Sequence, residues 1–282
     1  MDRKGANALT GDRDLFVDIQ VRGAYGDPVE RGCDVKNADK WSPSKFVYRK
    51  GRLVSSRNPD EVRVASRLMV DRIAVLYETH IPEHVRGRLV DLGSGKVPLW
   101  DTYRNYATEV VCVDWENSLH PNRHLDYQCD LSQKLPFKDR EFDTVILSDV
   151  IEHIPQPDTL WKEMARILAP NGKALINTPF YYPLHETPHD YYRYTEYALR
   201  RFARLAGFEV LLLKPMGGVP EILADLLARQ VQFIPGVGRG LAVVIQGIFR
   251  VFTGTALGRM ASEKTSRAFP FGYFMVVKKL GE

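Results

Sequence analysis

The chain has 282 residues, of which 44% are hydrophobic, 26% are charged and 11% are aromatic, with a formal net charge of +4. This composition is that of a globular protein and excludes a fibrous or wholly disordered chain. The mild positive charge falls short of what a dedicated nucleic-acid binder usually carries, so we expect no nucleic-acid partner.

Cysteine usage and hydropathy predict a cytoplasmic protein. The three cysteines, Cys33, Cys112 and Cys129, lack metal-ligand spacing and indicate a reducing compartment. The chain opens on polar residues, which predicts no secretory leader. The most apolar stretch, 240–249, is about half the length of a bilayer span and contains Gln246.

Residues 1–57 form a distinct N-terminal extension in the sequence. They show weak hydrophobic periodicity and mix charged residues with glycine and proline. We expect this extension to be partly flexible, either as a plain leader or as a lid over an active site. Trp41, Phe46 and Tyr48 favour docking of its later half.

From residue 58 onward the pattern is that of an α/β protein. Asn58, Pro59 and the acids behind them predict a helix start, and apolar residues then recur at helical spacing as far as Tyr77. Helices are also predicted at 158–168 and 195–206. Seven strands are predicted, at 88–92, 109–114, ending near 130, and at 142–147, 173–177, 208–213 and 271–278. Short apolar strands that alternate with helices predict a doubly wound, mostly parallel seven-stranded sheet.

Residues 214–270, between the last two predicted strands, are predicted to be a helical insertion. They are rich in apolar residues and carry more arginine and lysine than acid, and apolar residues recur at helical spacing near 222–231 and 241–252. A basic helix with a broad apolar face fits a membrane surface, a homodimer interface or a cover over a pocket, and plain core packing is a further alternative.

Acids and glycines stand where the predicted strands end. Glycines after the first strand let the backbone approach a ligand, and a carboxylate after the second strand can accept hydrogen bonds from a ribose diol. The ordered set is Asp91-Leu-Gly93-Ser-Gly95, Asp114, Asp130-Leu131, Phe142-Asp143 with Asp149 to His153, and the turn Ala169-Pro-Asn-Gly172.

Together these motifs resemble the class I S-adenosylmethionine-dependent methyltransferases, over about residues 87–213 and again at the last strand. The resemblance implies a Rossmann-like domain built from 58–213 and 271–282, with S-adenosylmethionine as cofactor. It implies that Asp91, Gly93 and Gly95 line the methionine moiety, that Asp114 holds the ribose, that Asp130 and Leu131 flank the adenine, and that Asp149 faces the cofactor. Val97 replaces the third glycine of the family's motif, which predicts a less open loop there.

Residues 178–195 resemble a narrower branch of these methyltransferases, found among bacterial and archaeal polysaccharide and lipopolysaccharide biosynthesis genes. The segment concentrates histidines, acids, an arginine and tyrosines, which suits a polyhydroxylated acceptor. We expect His185, Tyr192 and Arg193 to contact that acceptor. The alternative is a structural loop in which Arg193 pairs with Asp190.

Methylation of an alcohol needs a group that removes the proton, and histidine suits that task. His189 with Asp190 is the first candidate for a base and His153 the second, with capping or packing as the alternative role of His153. Asp149, Glu152 and His153 stand at helical spacing and offer a magnesium site, and a similar pattern occurs in cation-dependent quinone-biosynthesis O-methyltransferases. This site is less favoured, because Asp149 is expected to face the cofactor instead.

The sequence therefore predicts an O-methyltransferase that acts on a hydroxyl of a glycan, a lipid-linked sugar or another glycosylated acceptor. The alternative acceptor is a quinone, a phenol or another secondary metabolite. A non-catalytic scaffold that retains the fold is a remote third hypothesis. Contact with a membrane surface and formation of a homodimer through 214–270 both remain open at this stage.

Overall fold

The computed structural model describes residues 33–116, 118 and 123–281. Its strands, in chain order, are β1 (Phe46–Arg49), β2 (Arg52–Ser55), β3 (Arg88–Leu92), β4 (Glu109–Asp114), β5 (Tyr127–Gln128), β6 (Phe142–Ser148), β7 (Leu168–Pro179), β8 (Phe208–Met216) and β9 (Gly272–Lys279). The last seven form one sheet in the order β5-β4-β3-β6-β7-β9-β8. Strands β3 to β7 pair in parallel, and β9 runs antiparallel to both β7 and β8. The prediction of a doubly wound, mostly parallel seven-stranded sheet is confirmed.

Two layers of helices cover the sheet because its strands are apolar on both faces. One face, which includes Leu89 and Leu175, packs with α1 (Arg67–His84) and α2 (Trp100–Tyr103). The other face, which includes Val90 and Ile176, packs with α3 (Pro157–Ile167) and α4 (Glu196–Leu205). This arrangement leaves the carboxyl ends of the parallel strands open at one edge of the sheet.

The predicted helical insertion is also confirmed. Helices α5 (Val219–Val231), α6 (Gly238–Gly254) and α7 (Ala256–Ser266) lie between β8 and β9. Gln246, buried within α6, joins the insertion to the start of α1: its amide nitrogen donates to the carbonyl oxygens of Ala65 and Ala224, at 2.6 and 3.1 Å, and its amide oxygen accepts from the backbone N–H of Leu68. No single helix within the described ranges is long and apolar enough to cross a membrane.

The N-terminal extension is only partly described. Residues 1–32, and with them the flexible part of that prediction, lie outside the described residues. The remainder contains a β1–β2 hairpin with two turn residues in the left-handed region, Lys50 at φ 52° and Gly51 at φ 74°. Phe46 and Leu53 are buried in the core beside α1, whereas Tyr48 is exposed. The lid role stays a prediction.

The predicted helix start at Asn58 is wrong. The Asn58 carbonyl oxygen accepts from the backbone N–H groups of Glu61 and Val62, which closes a single turn. Arg63 then adopts a φ of −54° and a ψ of 142°, which interrupts the helical path. A 3-10 turn over Val64–Ser66 follows, and α1 begins at Arg67. The capping signal at Asn58 therefore belongs to an isolated turn.

Candidate active site

A cavity of about 1350 Å³ opens where the parallel strands end. Its wall includes the loop after β3, the first residues after β4 and β5, and the residues that follow β6. This is the edge where open α/β sheets bind ligands. Because a drug-sized ligand fills a pocket of roughly 300–1,000 Å³, the cavity is large enough for a cofactor and a second molecule together.

The glycine loop and Asp114 are brought together, as the sequence predicts. Gly93 has a φ of +72° and donates its N–H to the carbonyl oxygen of Val113 at 2.8 Å. The N–H groups of Gly95 and Trp115 donate to the two carboxylate oxygens of Asp114, at 3.0 and 2.8 Å. These bonds fix the Asp114 carboxylate at the cavity wall, between the ends of β3 and β4.

Two glycine-motif positions are constrained by packing. A Cβ atom on Gly93 would lie 2.4 Å from Cγ2 of Val150, so glycine is required there for steric as well as backbone reasons. Val97, in place of the family's third glycine, has a φ of 51° although its side chain is β-branched and fully buried. The Val97 carbonyl oxygen accepts the indole N–H of Trp41 at 3.1 Å. At Val97 the loop is closed by the core, in line with the prediction.

Asp91 is buried and contacts α2. It is not among the residues that line the cavity. Its buried carboxylate accepts the hydroxyl of Tyr103 at 3.0 Å, and burial raises its pKa to about 7 against the opposing effect of that hydrogen bond. A role in holding the methionine moiety therefore stays a prediction, while its contact with α2 is structural.

The far end of the cavity suits an adenosine. Asp130 and Leu131 line the wall after β5, and Asp130 Oδ1 accepts the backbone N–H of Ser132 at 2.8 Å. An ionised carboxylate has about four acceptor positions, so Asp130 keeps capacity for ligand donors, whereas Asp114 also accepts the hydroxyl of Ser118 at 3.1 Å. Two carboxylates, apolar Leu131 and the indole of Trp115 form an acceptor and packing set that fits a ribose diol and an adenine ring.

Asp149 lies at the cavity wall but is already engaged by the protein. It has a φ of 54°, and its Oδ1 accepts the side-chain amide of Asn177 at 2.6 Å. Its Oδ2 forms an ion pair with Lys45, which lies just before β1. Burial lowers the pKa of Lys45, but Asp149 outweighs burial and leaves that pKa raised. Lys45 was not predicted from the sequence, because the pairing joins residues far apart in the chain.

The predicted magnesium set of Asp149, Glu152 and His153 does not converge. Residues 151–153 form a 3-10 turn instead of α-helix, and Lys45 occupies the Asp149 carboxylate. The side chains that do converge are Glu152, His153 and His185, whose ligand-capable atoms all lie within 4.8 Å of one another. Two histidines and one carboxylate suit zinc or iron better than magnesium.

Glu152 is the fully buried centre of this cluster. The Nε2 atoms of His153 and His185 each lie 3.8 Å from Glu152 Oε1, and Thr178 donates its hydroxyl to Oε2 at 3.2 Å. Burial raises the pKa of Glu152. Burial lowers the pKa of His185, but the contact with Glu152 raises it by more, so this pKa lies above its ordinary value.

His153 is oriented by its backbone contact. Its Nδ1 lies 2.8 Å from the carbonyl oxygen of His189, and a carbonyl oxygen only accepts, so Nδ1 carries the proton. In the neutral ring Nε2 is therefore the atom with the lone pair. That Nε2 is buried, and among the described residues it has no hydrogen-bond partner. His153 also lines the cavity.

The predicted His189–Asp190 pair is not formed. The Asp190 carboxylate accepts two hydrogen bonds from Arg193, at 2.6 and 2.8 Å, and one from the backbone N–H of His185. The Arg193 hydrogen bonds lower the pKa of Asp190 to about 2. His189 instead contacts the hydroxyl of Tyr191 through Nδ1 and packs edge-on against Trp115. Asp190 thus serves the loop, as the alternative interpretation held.

Of the predicted acceptor residues, only His185 lies at the cavity wall. Arg193 is held by Asp190 and by the carbonyl oxygens of Tyr182 and Pro183, and the Tyr192 hydroxyl donates to the Pro155 carbonyl oxygen. Both side chains form hydrogen bonds within the protein, because a loop without regular structure needs side-chain donors for its carbonyl groups.

The sequence did not single out Arg229, which the insertion brings to the same wall. Arg229 forms a two-pronged ion pair with Asp225, at 2.6 and 3.0 Å, and its Nη2 donates to the Ser66 hydroxyl at 2.8 Å. Its guanidinium lies 4.8 Å from the centre of the Tyr182 ring. The i, i+4 spacing of Asp225 and Arg229 was visible, but only the folded insertion aims Arg229 at the cavity.

The sheet order and the glycine loop define the class: a Rossmann-like fold of the class I methyltransferase type. Residues 90–176 match the Methyltransf_11 family, described as "Methyltransferase domain". The chain therefore carries a class I S-adenosylmethionine-dependent methyltransferase domain, with S-adenosylmethionine as its cofactor, and both predictions are confirmed. The narrower polysaccharide branch stays a prediction.

Two curated relatives each match about a third of the chain. The chain is 27% identical over 111 residues to "Ubiquinone biosynthesis O-methyltransferase" of Idiomarina loihiensis, covering 36% of this chain and 46% of that protein. It is 31% identical over 100 residues to "Biotin biosynthesis bifunctional protein BioHC" of Cellvibrio japonicus, covering 33% of this chain and 20% of that protein. The chain thus spans less than half the length of these relatives.

Solved structures agree on the fold. The crystal structure of the cyclase SpnF has a TM-score of 0.50 and 17% sequence identity, and covers 85% of this chain and 87% of its own. At this identity the likeness concerns the fold alone, and a cyclase on the same fold shows that activity has to be argued from the site.

Proposed function

We propose that this protein transfers a methyl group from S-adenosylmethionine to a hydroxyl oxygen of a small-molecule acceptor. The observation that carries the proposal is His153, a wall residue of the cofactor cavity whose proton is fixed on Nδ1. When bound, S-adenosylmethionine supplies an electrophilic methyl group on its sulfonium. Gly93, Asp114 and Asp130 are the residues that would hold it.

The base in this proposal is His153. Its Nε2 takes the acceptor hydroxyl proton as the oxygen attacks, and the hydrogen bond to the His189 carbonyl keeps the ring in the required tautomer. The resulting imidazolium lies 3.8 Å from the Glu152 carboxylate, which stabilises its charge when Glu152 is ionised. The surrounding wall aligns the acceptor and excludes water.

The acceptor class that the wall supports best is a glycan or glycosylated molecule. Beside His153 the wall carries Lys45, Tyr182, His185 and Arg229, a mixture of aromatic and hydrogen-bonding groups. Aromatic faces pack against sugar rings and polar groups contact hydroxyls. This supports the sequence-based expectation with a different residue set, since Lys45, Tyr182 and Arg229 take the place of Tyr192 and Arg193.

A quinone or phenol is the second candidate, and a specific observation favours it. One part of the same wall is apolar, with Met69, Ile73, Met216 and Phe271. An apolar patch of this kind suits an aromatic or prenylated acceptor. The name of the Idiomarina loihiensis relative, a ubiquinone biosynthesis O-methyltransferase, points the same way.

Transfer of a labelled methyl group distinguishes these candidates. Purified protein and methyl-labelled S-adenosylmethionine are incubated with nucleotide-linked and lipid-linked sugars in one set, and with catechols and demethylated quinones in another. We expect turnover with the sugar set and its loss in His153→Asn. Turnover with the catechol set alone would transfer the proposal to the second candidate. Cofactor binding without transfer to either set would favour a non-catalytic scaffold.

A further inference from the structure

The insertion exposes an unusual amount of apolar surface. In the described residues, 13 of the 26 exposed large hydrophobic side chains lie between residues 223 and 260. Five of them, at alternating spacings of four and three residues, fall on one face of the α6 segment. They are Val237, Leu241, Val244, Ile248 and Val251, each 43–72% exposed. We call these five residues the α6 apolar face. A patch of this kind on a protein surface marks an interaction site.

In the insertion, most acidic side chains are buried and most basic side chains are exposed. Its acids Glu221 and Asp225 are buried: Glu221 accepts the Ser262 hydroxyl, and Asp225 pairs with Arg229. Among described residues 219–270, Glu263 is the one exposed acid. The exposed bases of the same range are Arg239, Arg250, Lys264 and Arg267. The surface of the insertion is therefore apolar and cationic.

A further group of positively charged side chains lies where α6 meets the start of α1. Arg57 and Arg250 share a single carboxylate, that of Asp71. Arg67 joins them, because its Nη2 donates to the Arg57 carbonyl oxygen at 2.6 Å. Two guanidinium groups thus pair with one acid and a third lies beside them, and the excess charge attracts anions.

The α6 apolar face continues toward the cavity. The end of α5 and the residues behind it supply Gln230, Gln232 and Phe233 to the cavity wall. Phe233 is 77% exposed, although it also lines the cavity. Only four positions separate it from Val237, where the α6 apolar face begins. The rim of the cavity and the apolar face therefore belong to one connected segment.

We propose that the insertion docks on an anionic lipid bilayer. The α6 apolar face enters the interface between headgroups and acyl chains, and the exposed bases contact lipid phosphates. A second copy of this chain fits the surface less well, because a two-fold interface sets the same patch against itself and would oppose like charges. With the cavity rim beside the bilayer, an acceptor carried in the membrane reaches the site directly, and this last step rests on the proposed function.

Flotation with lipid vesicles tests the docking. The full chain is mixed at low salt with vesicles of phosphatidylcholine alone, or of equal parts phosphatidylcholine and phosphatidylglycerol. The test variant is Ile248→Asp with Val251→Asp, two well-exposed positions, and the matched control is Leu205→Asp on α4, which is 57% exposed. We expect wild type and control to float with the anionic vesicles, and the double variant to partition at least about tenfold less. Raised salt lowers the wild-type partition.

Three results would overturn the docking proposal. Wild type could stay behind with both vesicle types, or float equally with neutral vesicles. Alternatively, sedimentation velocity could find a wild-type dimer that the double variant converts to monomer, which would assign the face to a homodimer. Titration of each variant with S-adenosylhomocysteine separates this failure from failure of the proposed function, since we expect all of them to bind it with the same affinity.

Discussion

Replacing His153 by asparagine tests the assignment of the base. An asparagine amide nitrogen can take the place of Nδ1 and keep the 2.8 Å bond to the His189 carbonyl, while the group at Nε2 is lost. General-base catalysis contributes about 10²–10⁴-fold to the rate, so we expect kcat to fall by that factor with S-adenosylhomocysteine affinity unchanged. His153→Ala also leaves the His189 carbonyl oxygen without its hydrogen-bond donor, which costs about 1–3 kcal/mol of unfolding free energy.

The assay for His153 combines methyl transfer under saturating cofactor with urea unfolding of each variant. His189→Asn is the control, because His189 contacts His153 only through its backbone carbonyl. We expect this control to keep most of its activity. If His153→Asn retained kcat within about threefold of wild type, a value far below the general-base contribution, His153 would not be the base.

Three further predictions concern the glycine loop, the stability of the protein at acidic pH and the need for a metal ion. Gly93→Ala should lose about 2–4 kcal/mol of unfolding free energy, because the added Cβ clashes with Val150 and the residue has a positive φ. The control Gly207→Ala has open space around it and should lose about 1 kcal/mol in the same urea titration. Equal losses in the two variants would contradict the packing argument. The pKa of Asp190 is about 2 and therefore below its unfolded value, so ionised Asp190 stabilises the fold above about pH 4 and this contribution disappears toward about pH 2. Urea midpoints should fall more steeply over that range for wild type than for Asp190→Asn. Parallel curves for the two proteins would contradict this role of Asp190. Turnover should be unchanged by a chelator, because the predicted magnesium ligands do not converge; activity lost on chelation and restored by zinc would make the Glu152 cluster a metal site.

The sheet could be predicted closely because its signals are local. The central strands contain short apolar runs, such as Val110 to Val113 in β4, and an acid or glycine at the end of the run marks the edge, as at Asp114. The β1–β2 hairpin escaped prediction, because its turn pairs Lys50 with Gly51 and lysine is an uncommon residue in the left-handed region. The false helix start at Asn58 shows that a capping signal fits an isolated turn equally well.

The candidate site was only half predictable. Asp114, Asp130 and the glycine loop are placed by strand ends, so their position follows from the fold. The base candidates lie on a loop where order along the chain says little about contact: Asp190 follows His189 directly but bonds to Arg193 and His185. Lys45 reaches the cavity from a distant segment. Such long-range pairings leave no trace in sequence spacing.

Calorimetric titration with S-adenosylhomocysteine is the most direct test of a cofactor site built on Asp114. We expect micromolar binding by wild type and its loss in Asp114→Ala, with Asp130→Ala weakened as a second, independent variant. Circular dichroism shows whether each variant keeps its fold, and Leu205→Asp serves as the matched surface control. A wild-type protein that binds no S-adenosylhomocysteine, or a folded Asp114→Ala that binds it as tightly as wild type, would rule out this cofactor site.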